Sequence, residues 1–378
     1  MKAIVATKYG PPDVLQLREV EKPTSNNPLP VPGREQGDAT VSTKRSPVHQ
    51  DTMMAIVQDT YGSPDVLELR DIDRPEIGDD QVLVRVHAAG VNPADWAIVG
   101  GLPYIARPVY GLRKPKNAVR GTDVAGTVGA VGTRVTRFRP GDEVFGWCGG
   151  LGGAFAEYAA ASEDALALKP ANLTFEQAAA VPMAGLVALQ ALRDHGGVRA
   201  GQRVLINGAS GGIGTFAVQI AKSLGAEVTG VCSTRNVDMV RSIGADHVID
   251  YTQEDFTRKD RRYDLILDNV ANHSLSDLRG ALAPTGTLVP NGGGFDNRWF
   301  ANGGRVVGAT VLGRFVSHKL RPFLVSPNLE DLVVLKELIE AGKMIPVIDR
   351  TYPLSEAPEA IGYVGGGHTR GKIAVTTV

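Results

Sequence analysis

The sequence predicts an α/β protein in which a doubly wound parallel sheet is joined to a β-rich, barrel-type domain. Three observations predict it. Residues 53 to about 175 read as short strands separated by glycine and proline turns. Residues 176–316 alternate strands and helices. A glycine-rich loop stands between the first of those later strands and its helix. Strands that recur with intervening helices call for a parallel sheet covered on both faces.

The β-rich half rests on segments such as Gln81–Val91, Val124–Val131, Glu143–Phe145 and Phe155–Ala160, which alternate or run apolar. In the second half, strand Arg203–Asn207 precedes a helix over Gly212–Leu224, and strand Glu227–Cys232 precedes a helix over Asn236–Ile243. Further strands are expected at His247–Asp250, Asp264–Asp268, Thr287–Val289 and Arg305–Thr310. Their near-continuous apolar character suits strands buried on both faces. Residues 317–378, with one helix at Leu329–Ala341 and β-like stretches after it, are expected to return to the first domain and complete it.

The N-terminus is duplicated. Residues 1–24 and 53–76 match at thirteen of twenty-four positions at an offset of 52. Each copy reads as a hairpin turning at Tyr-Gly-x-Pro. Residues 24–52 between them are rich in Pro, Asn, Gly and charge, which predicts a disordered linker. The second copy runs directly into the next strand, so it is the one expected to be integrated, leaving 1–52 as an appendage.

Bulk composition narrows the function. A net charge of −1 over 378 residues, with no Lys/Arg block, gives no reason to expect nucleic acid or a membrane surface as partner. Two cysteines, Cys148 and Cys232, exclude a disulfide framework and a four-cysteine zinc site. No apolar run reaches membrane-spanning length, and the N-terminus lacks a signal-peptide core. These features predict a cytoplasmic protein.

The chemistry centres on VLINGASGGIGTFAVQIAKSLGAEV. Gly208, Gly211 and Gly214 allow a tight turn and close approach of backbone to a pyrophosphate, with Ser210, Gly211, Gly212 and Ile213 at the start of the helix. There the free N–H groups and the positive end of the helix dipole favour phosphate. The same residues also spell G-x-S-x-G, a serine-hydrolase elbow with Asp268 and His318 as nominal partners. A hydrolase leaves Gly214 unexplained. At the end of the second strand, Ser233-Thr234-Arg235 lacks the acid that accepts from an NAD ribose, and Arg235 suits a 2′-phosphate. NADP(H) is therefore the expected cofactor; otherwise Ser233 caps a helix and Arg235 is simply solvated. Asn269 and Gly292 follow the fourth and fifth strands at the ends where such sheets bind ligands.

Several stretches resemble the quinone oxidoreductase branch of the medium-chain dehydrogenase/reductase superfamily: AAGVNPAD (88–95), GTDVAGTV (121–128), RPGDEVFG (139–146), AAAVPMAGLVALQAL (178–192), GQRVLINGASGGIG (201–214) and GADHVIDY (244–251). The resemblance spans 53–378 and implies a GroES-like catalytic domain beside a Rossmann domain. Zinc-dependent members carry Cys where this chain has Asn92, Gly-His-Glu where it has Gly121-Thr122-Asp123, and a second Cys where it has Pro182. The expectation is therefore a zinc-free enzyme passing hydride from NADPH to a quinone or an α,β-unsaturated carbonyl. Alcohol or ketone chemistry is the alternative, and a non-catalytic NADPH-binding protein also fits. By the resemblance, Asn92 and Asp95 line the cleft, Lys372 of Arg370-Gly371-Lys372 approaches the cofactor or else forms a salt bridge, and the protein is a homodimer. Tyr104 and Tyr110, in the loop after Asn92, are candidates to reach the acceptor oxygen.

Overall fold

The computed structural model describes residues 2–6, 15–19, 52–148, 152–291, 298–301 and 303–377. The chain forms two compact units, Met1–Val48 and His49–Val378. Most of the expected linker, and Gly292, lie outside the described residues.

Both hairpin copies form, each by itself. In the first unit Lys2–Ala6 pairs antiparallel with Leu15–Glu19, Ala3 facing Arg18. In the second, Thr52–Gln58 pairs with Leu67–Asp73, Ala55 facing Arg70. The two registers are equivalent under the offset of the repeat.

The β-rich part is a seven-stranded sheet. Its path runs Ile348–Pro353, Lys372–Thr376, Gln81–Val91, Asp123–Val131, Glu143–Trp147 and Leu166–Leu168, with Tyr158–Ser162 also paired to Gln81–Val91. Alternation sets its faces: Val82, Val84 and Val86 are buried while Arg85 points to water. Phe155, Leu166 and Val375 pack into the same core.

The second sheet has six strands in the order His247–Asp250, Glu227–Cys232, Arg203–Asn207, Tyr263–Asp268, Leu282–Pro290, Lys319–Leu320, and every pair is parallel. Numbered along the sheet's own chain order this is 3-2-1-4-5-6, the Rossmann order. It reverses between Arg203–Asn207 and Tyr263–Asp268, so the crevice for a ligand opens at Asn207 and Asp268. The protein is thus α/β, a Rossmann-like parallel sheet with a β-rich domain. One expected strand is wrong: residues 303–312 form a helix, and the sixth strand lies later, at Lys319–Leu320. The β-branched Val306, Val307, Thr310 and Val311 suggested a strand. Arg305 decides otherwise, because its guanidinium reaches buried Asp268 at 2.5 Å and His273 O at 2.8 Å from the first turn of the helix.

The glycine loop shows why those glycines are needed. Gly208 turns at φ +80. A methyl group on Gly214 would collide with Gly208 O and stand 2.7 Å from Ala209 Cα, because here the Gly212–Ser223 helix rests directly on the loop backbone. Neither neighbour is a side chain that can rotate away. Gly214→Ala is expected to cost about 1–3 kcal/mol as an overpacking change. Nucleotide affinity should fall with it; a melting curve and a nucleotide titration of the variant check both.

Candidate functional site

One end of the crevice is built from the loops that follow the first two parallel strands. Gly211 caps the Gly212–Ser223 helix, whose first N–H groups have no partner within the helix. Ser210 Oγ accepts from Asn236 Nδ2 at 3.1 Å, and the same amide reaches Ser233 Oγ at 3.2 Å. Asn236 is 4% exposed and its Oδ1 has no partner. Arg235 is exposed and its guanidinium donates to His368 O at 2.9 Å. The loop residues Ser210, Gly211, Gly212 and Ile213 thus share one end of the sheet with Ser233 and Arg235.

Across the reversal point, Asp268 organises the next loop. It is fully buried and accepts from Asn207 Nδ2 at 2.8 Å, from Val270 N at 3.3 Å and from Ala271 N at 3.1 Å. Arg305 neutralises its other oxygen. The loop so held presents Asn269, whose Oδ1 takes a hydrogen bond from Asn291 Nδ2 at 2.8 Å while its own Nδ2, buried, has no partner. These contacts exhaust Asp268. Ser210 is bonded to Asn236 and Asp268 to Arg305, so among the described residues no Ser–His–Asp array forms and the hydrolase reading loses its geometry.

The β-rich side contributes a cluster of buried polar groups. Asn92 opens the Pro93–Val99 helix directly after the Gln81–Val91 strand, and its N–H donates to Asp95 Oδ2 at 2.8 Å. Its Nδ2 donates to Asp123 Oδ2 at 3.0 Å, which also accepts from Met183 N at 3.2 Å. Lys372, 4% exposed, donates to Asn92 Oδ1 at 2.5 Å and Val91 O at 3.1 Å, and lies 3.8 Å from Asp123 Oδ2. Burial works against ionisation throughout: it pushes Asp95 up to about 7, raises Asp123 and lowers Lys372, with the Lys372–Asp123 attraction opposing the last two. Arg120, 2% exposed, adds a second buried cation, and its Nε and Nη2 have no partner. The charge of Asp95 acts on it through space.

Tyr104 and Tyr110 belong to a neighbouring group. Tyr104 meets Trp299 edge-on at 5.4 Å, its N–H donates to Arg298 O at 2.8 Å, and Arg107 lies over its ring at 4.6 Å. Tyr110 is half-buried, and desolvation raises its hydroxyl pKa. Neither tyrosine has a recorded bond to the Asn92 cluster. Sequence reasoning missed Asp123 as a partner of Asn92 and Arg120 altogether. A carboxylate that opens an otherwise apolar strand was the available signal for Asp123.

Two family models match the chain: the alcohol dehydrogenase GroES-like domain over residues 78–171 and the zinc-binding dehydrogenase over 243–375. The human mitochondrial NAD(P)H oxidoreductase RTN4IP1 is 37% identical over 363 residues, covering 86% of this chain and 89% of that protein. The chloroplastic quinone-oxidoreductase homolog of Spinacia oleracea is 33% identical, covering 85% and 98%. Among solved structures, the quinone oxidoreductase of Coxiella burnetii superposes with a TM-score of 0.75 at 32% identity, covering 86% of this chain and all of that one. The cytoplasmic expectation is corrected by these matches, since curated relatives are mitochondrial and chloroplastic proteins and composition never carried a compartment. No helix of the described residues is long and apolar enough to cross a membrane. With relatives of this identity matched over most of both chains, the protein belongs to the quinone oxidoreductase-like branch of the medium-chain dehydrogenase/reductase superfamily and is a nicotinamide-dependent oxidoreductase acting on a small molecule.

Proposed function

We propose that the chain transfers hydride from NADPH to a quinone or an α,β-unsaturated carbonyl without a metal. The observation that carries the reading is the centre of the cleft. A buried ammonium, Lys372 Nζ, stands against Asn92 and Asp123, two of the positions where zinc-dependent members carry Cys and the end of Gly-His-Glu. Asn92 is a poor zinc donor, Thr122 and Pro182 supply no imidazole or thiolate, and the adjacent cation repels a second one. Among the described residues no group of three His, Cys, Asp or Glu side chains is arranged to hold a metal. The donor set does not fit zinc, although one matching family model bears that name.

The crevice does fit a dinucleotide. Gly211 leaves the loop backbone open at the start of the helix, and two amides, Asn236 and Asn269, each keep a buried atom without a partner. Ser210–Ile213 would hold the pyrophosphate, Ser233 and Arg235 the adenosine side with its 2′-phosphate, and Asn269 the nicotinamide side. When bound, the nicotinamide supplies the hydride. The protein's part is positioning: the Asn92 amide, its Oδ1 and one Nδ2 proton already engaged, has one N–H left for the acceptor or the nicotinamide amide. Tyr104 or Tyr110 delivers the proton to the acceptor oxygen. With no Lewis acid to polarise a simple ketone, the acceptor must be polarised already, as quinones and enones are.

Two outcomes test this reading. Arg235→Ala should weaken NADPH binding about 10- to 100-fold, the value of a charge-assisted contact, and leave NADH unchanged in parallel fluorescence titrations. Purified enzyme with NADPH should reduce a simple quinone and a simple enone at rates insensitive to a zinc chelator. Chelator-sensitive turnover, or ketone reduction alone, would sink it. A third expectation concerns Asp95. With a folded pKa near 7 against 3.8 unfolded, the native state holds a proton the unfolded state lacks between those values, so stability falls as pH rises through that window. Asp95→Asn copies the protonated form. Its melting temperature should exceed wild type by a margin that grows as pH rises from 3.8 to about 7 and then levels off.

A further inference from the structure

Three features meet at the adjacent residues Gly371 and Lys372. The first is a backbone tie. Gly371 N donates to Ser210 O at 2.8 Å, and Gly371 makes an isolated parallel bridge to Gly211. Gly371 is itself fixed at φ +84, where a side chain would press on Val347. The second is a packed stem. A methyl on Gly212 would meet Lys372 Cδ at 3.0 Å, so the lysine's hydrocarbon chain runs along the start of the nucleotide loop. The third is the ammonium at the far end, held by Asn92 Oδ1 at 2.5 Å and Val91 O at 3.1 Å and facing Asp123 Oδ2 at 3.8 Å.

An ammonium has three protons. Two are bonded within the protein and the third faces a buried carboxylate, so none is left for a phosphate or an acceptor. Asn92 is fixed in turn. Its oxygen is occupied by Lys372 and one Nδ2 proton by Asp123, which decides which way round the amide sits. Replace the ammonium by an apolar group and Asn92 Oδ1 is left buried without its donor, so the amide is held at one end only, by Asp123.

Building on the proposed role of Asn92, we infer that Lys372 is a positioning residue that joins the phosphate loop at Ser210–Gly212 to Asn92 in the cleft, so that filling the nucleotide site sets the amide at the reaction centre. The link is two residues long and has two defined ends, Gly371 on the loop backbone and the Lys372 ammonium on the amide. Lys372 touches neither the reacting atoms nor the phosphates; it acts through Asn92. This differs from the approach to the cofactor that the terminal motif suggested.

The test uses the full chain, Lys372→Met and the double variant Lys372→Met/Asp123→Asn, with NADPH as ligand. Hydrogen–deuterium exchange is followed in the peptides covering 208–215 and 90–95. In wild type, NADPH is expected to slow exchange in both segments. In Lys372→Met it should slow exchange only at 208–215. With a quinone acceptor, kcat at saturating NADPH should fall about 10- to 100-fold, the scale of a misplaced positioning group, while the NADPH Kd moves by less than about threefold. The double variant removes the carboxylate that the single change leaves unpaired. It should regain melting temperature and remain slow. The inference is overturned if protection of 90–95 persists in Lys372→Met, if wild type shows none there, if the double variant regains kcat, or if the Kd rises while kcat holds. That last result would make Lys372 a direct phosphate ligand. Should wild type turn over no quinone or enone, the proposed reaction fails while the exchange experiment still decides the role of Lys372.

Discussion

A lysine withdrawn from water keeps its charge only where oxygen atoms replace its hydration shell. Lys372 meets that condition with a backbone carbonyl, an asparagine oxygen and a nearby carboxylate, all from other parts of the chain. Much of the site's layout follows. Val91 and Asn92 must sit at the junction of the Gln81–Val91 strand and the following helix, Asp123 must open the neighbouring strand, and the Lys372–Thr376 strand must lie between Ile348–Pro353 and Gln81–Val91. A change at any of these places leaves a buried charge short of a partner.

The same cluster balances its own charge. Asp95, Asp123, Lys372 and Arg120 are all at least 96% buried, and fully ionised they sum to zero. Asn92 bonds two of the four through its side chain and a third through its backbone. Arg305 plays a comparable part across the crevice, where it neutralises the aspartate that folds the Asn269 loop.

What the residues announced in advance was local. The glycine loop, its strand and its helix were legible because turn, strand and helix each leave a mark within twenty residues, and the hairpin repeat because it is written twice. The segment 305–310 was misread because β-branched residues favour strands in isolation. There a single long-range ion pair and the edge position of Lys319–Leu320 outweigh propensity. The polar cluster was half legible: Asn92 and Lys372 were singled out, but their bond to each other spans 280 positions and has no local signature. Asp123 was noticed only as the place of a missing zinc ligand. Arg120, buried in the structure, reads in sequence like any surface arginine.

The threading of the β-rich sheet has a further meaning for how the protein is made. Its central strand, Gln81–Val91, bonds on one side to a strand whose first residue lies 281 positions after Val91. The parallel sheet, from Arg203 to Leu320, needs nothing beyond that span for its strand pairing. As the chain leaves the ribosome, the nucleotide half can therefore assemble first, while the catalytic half waits with an unpaired strand edge exposed. Slow, non-local closure of this kind is where nascent chains engage chaperones or aggregate. Lys372 is thus among the residues that finish the fold.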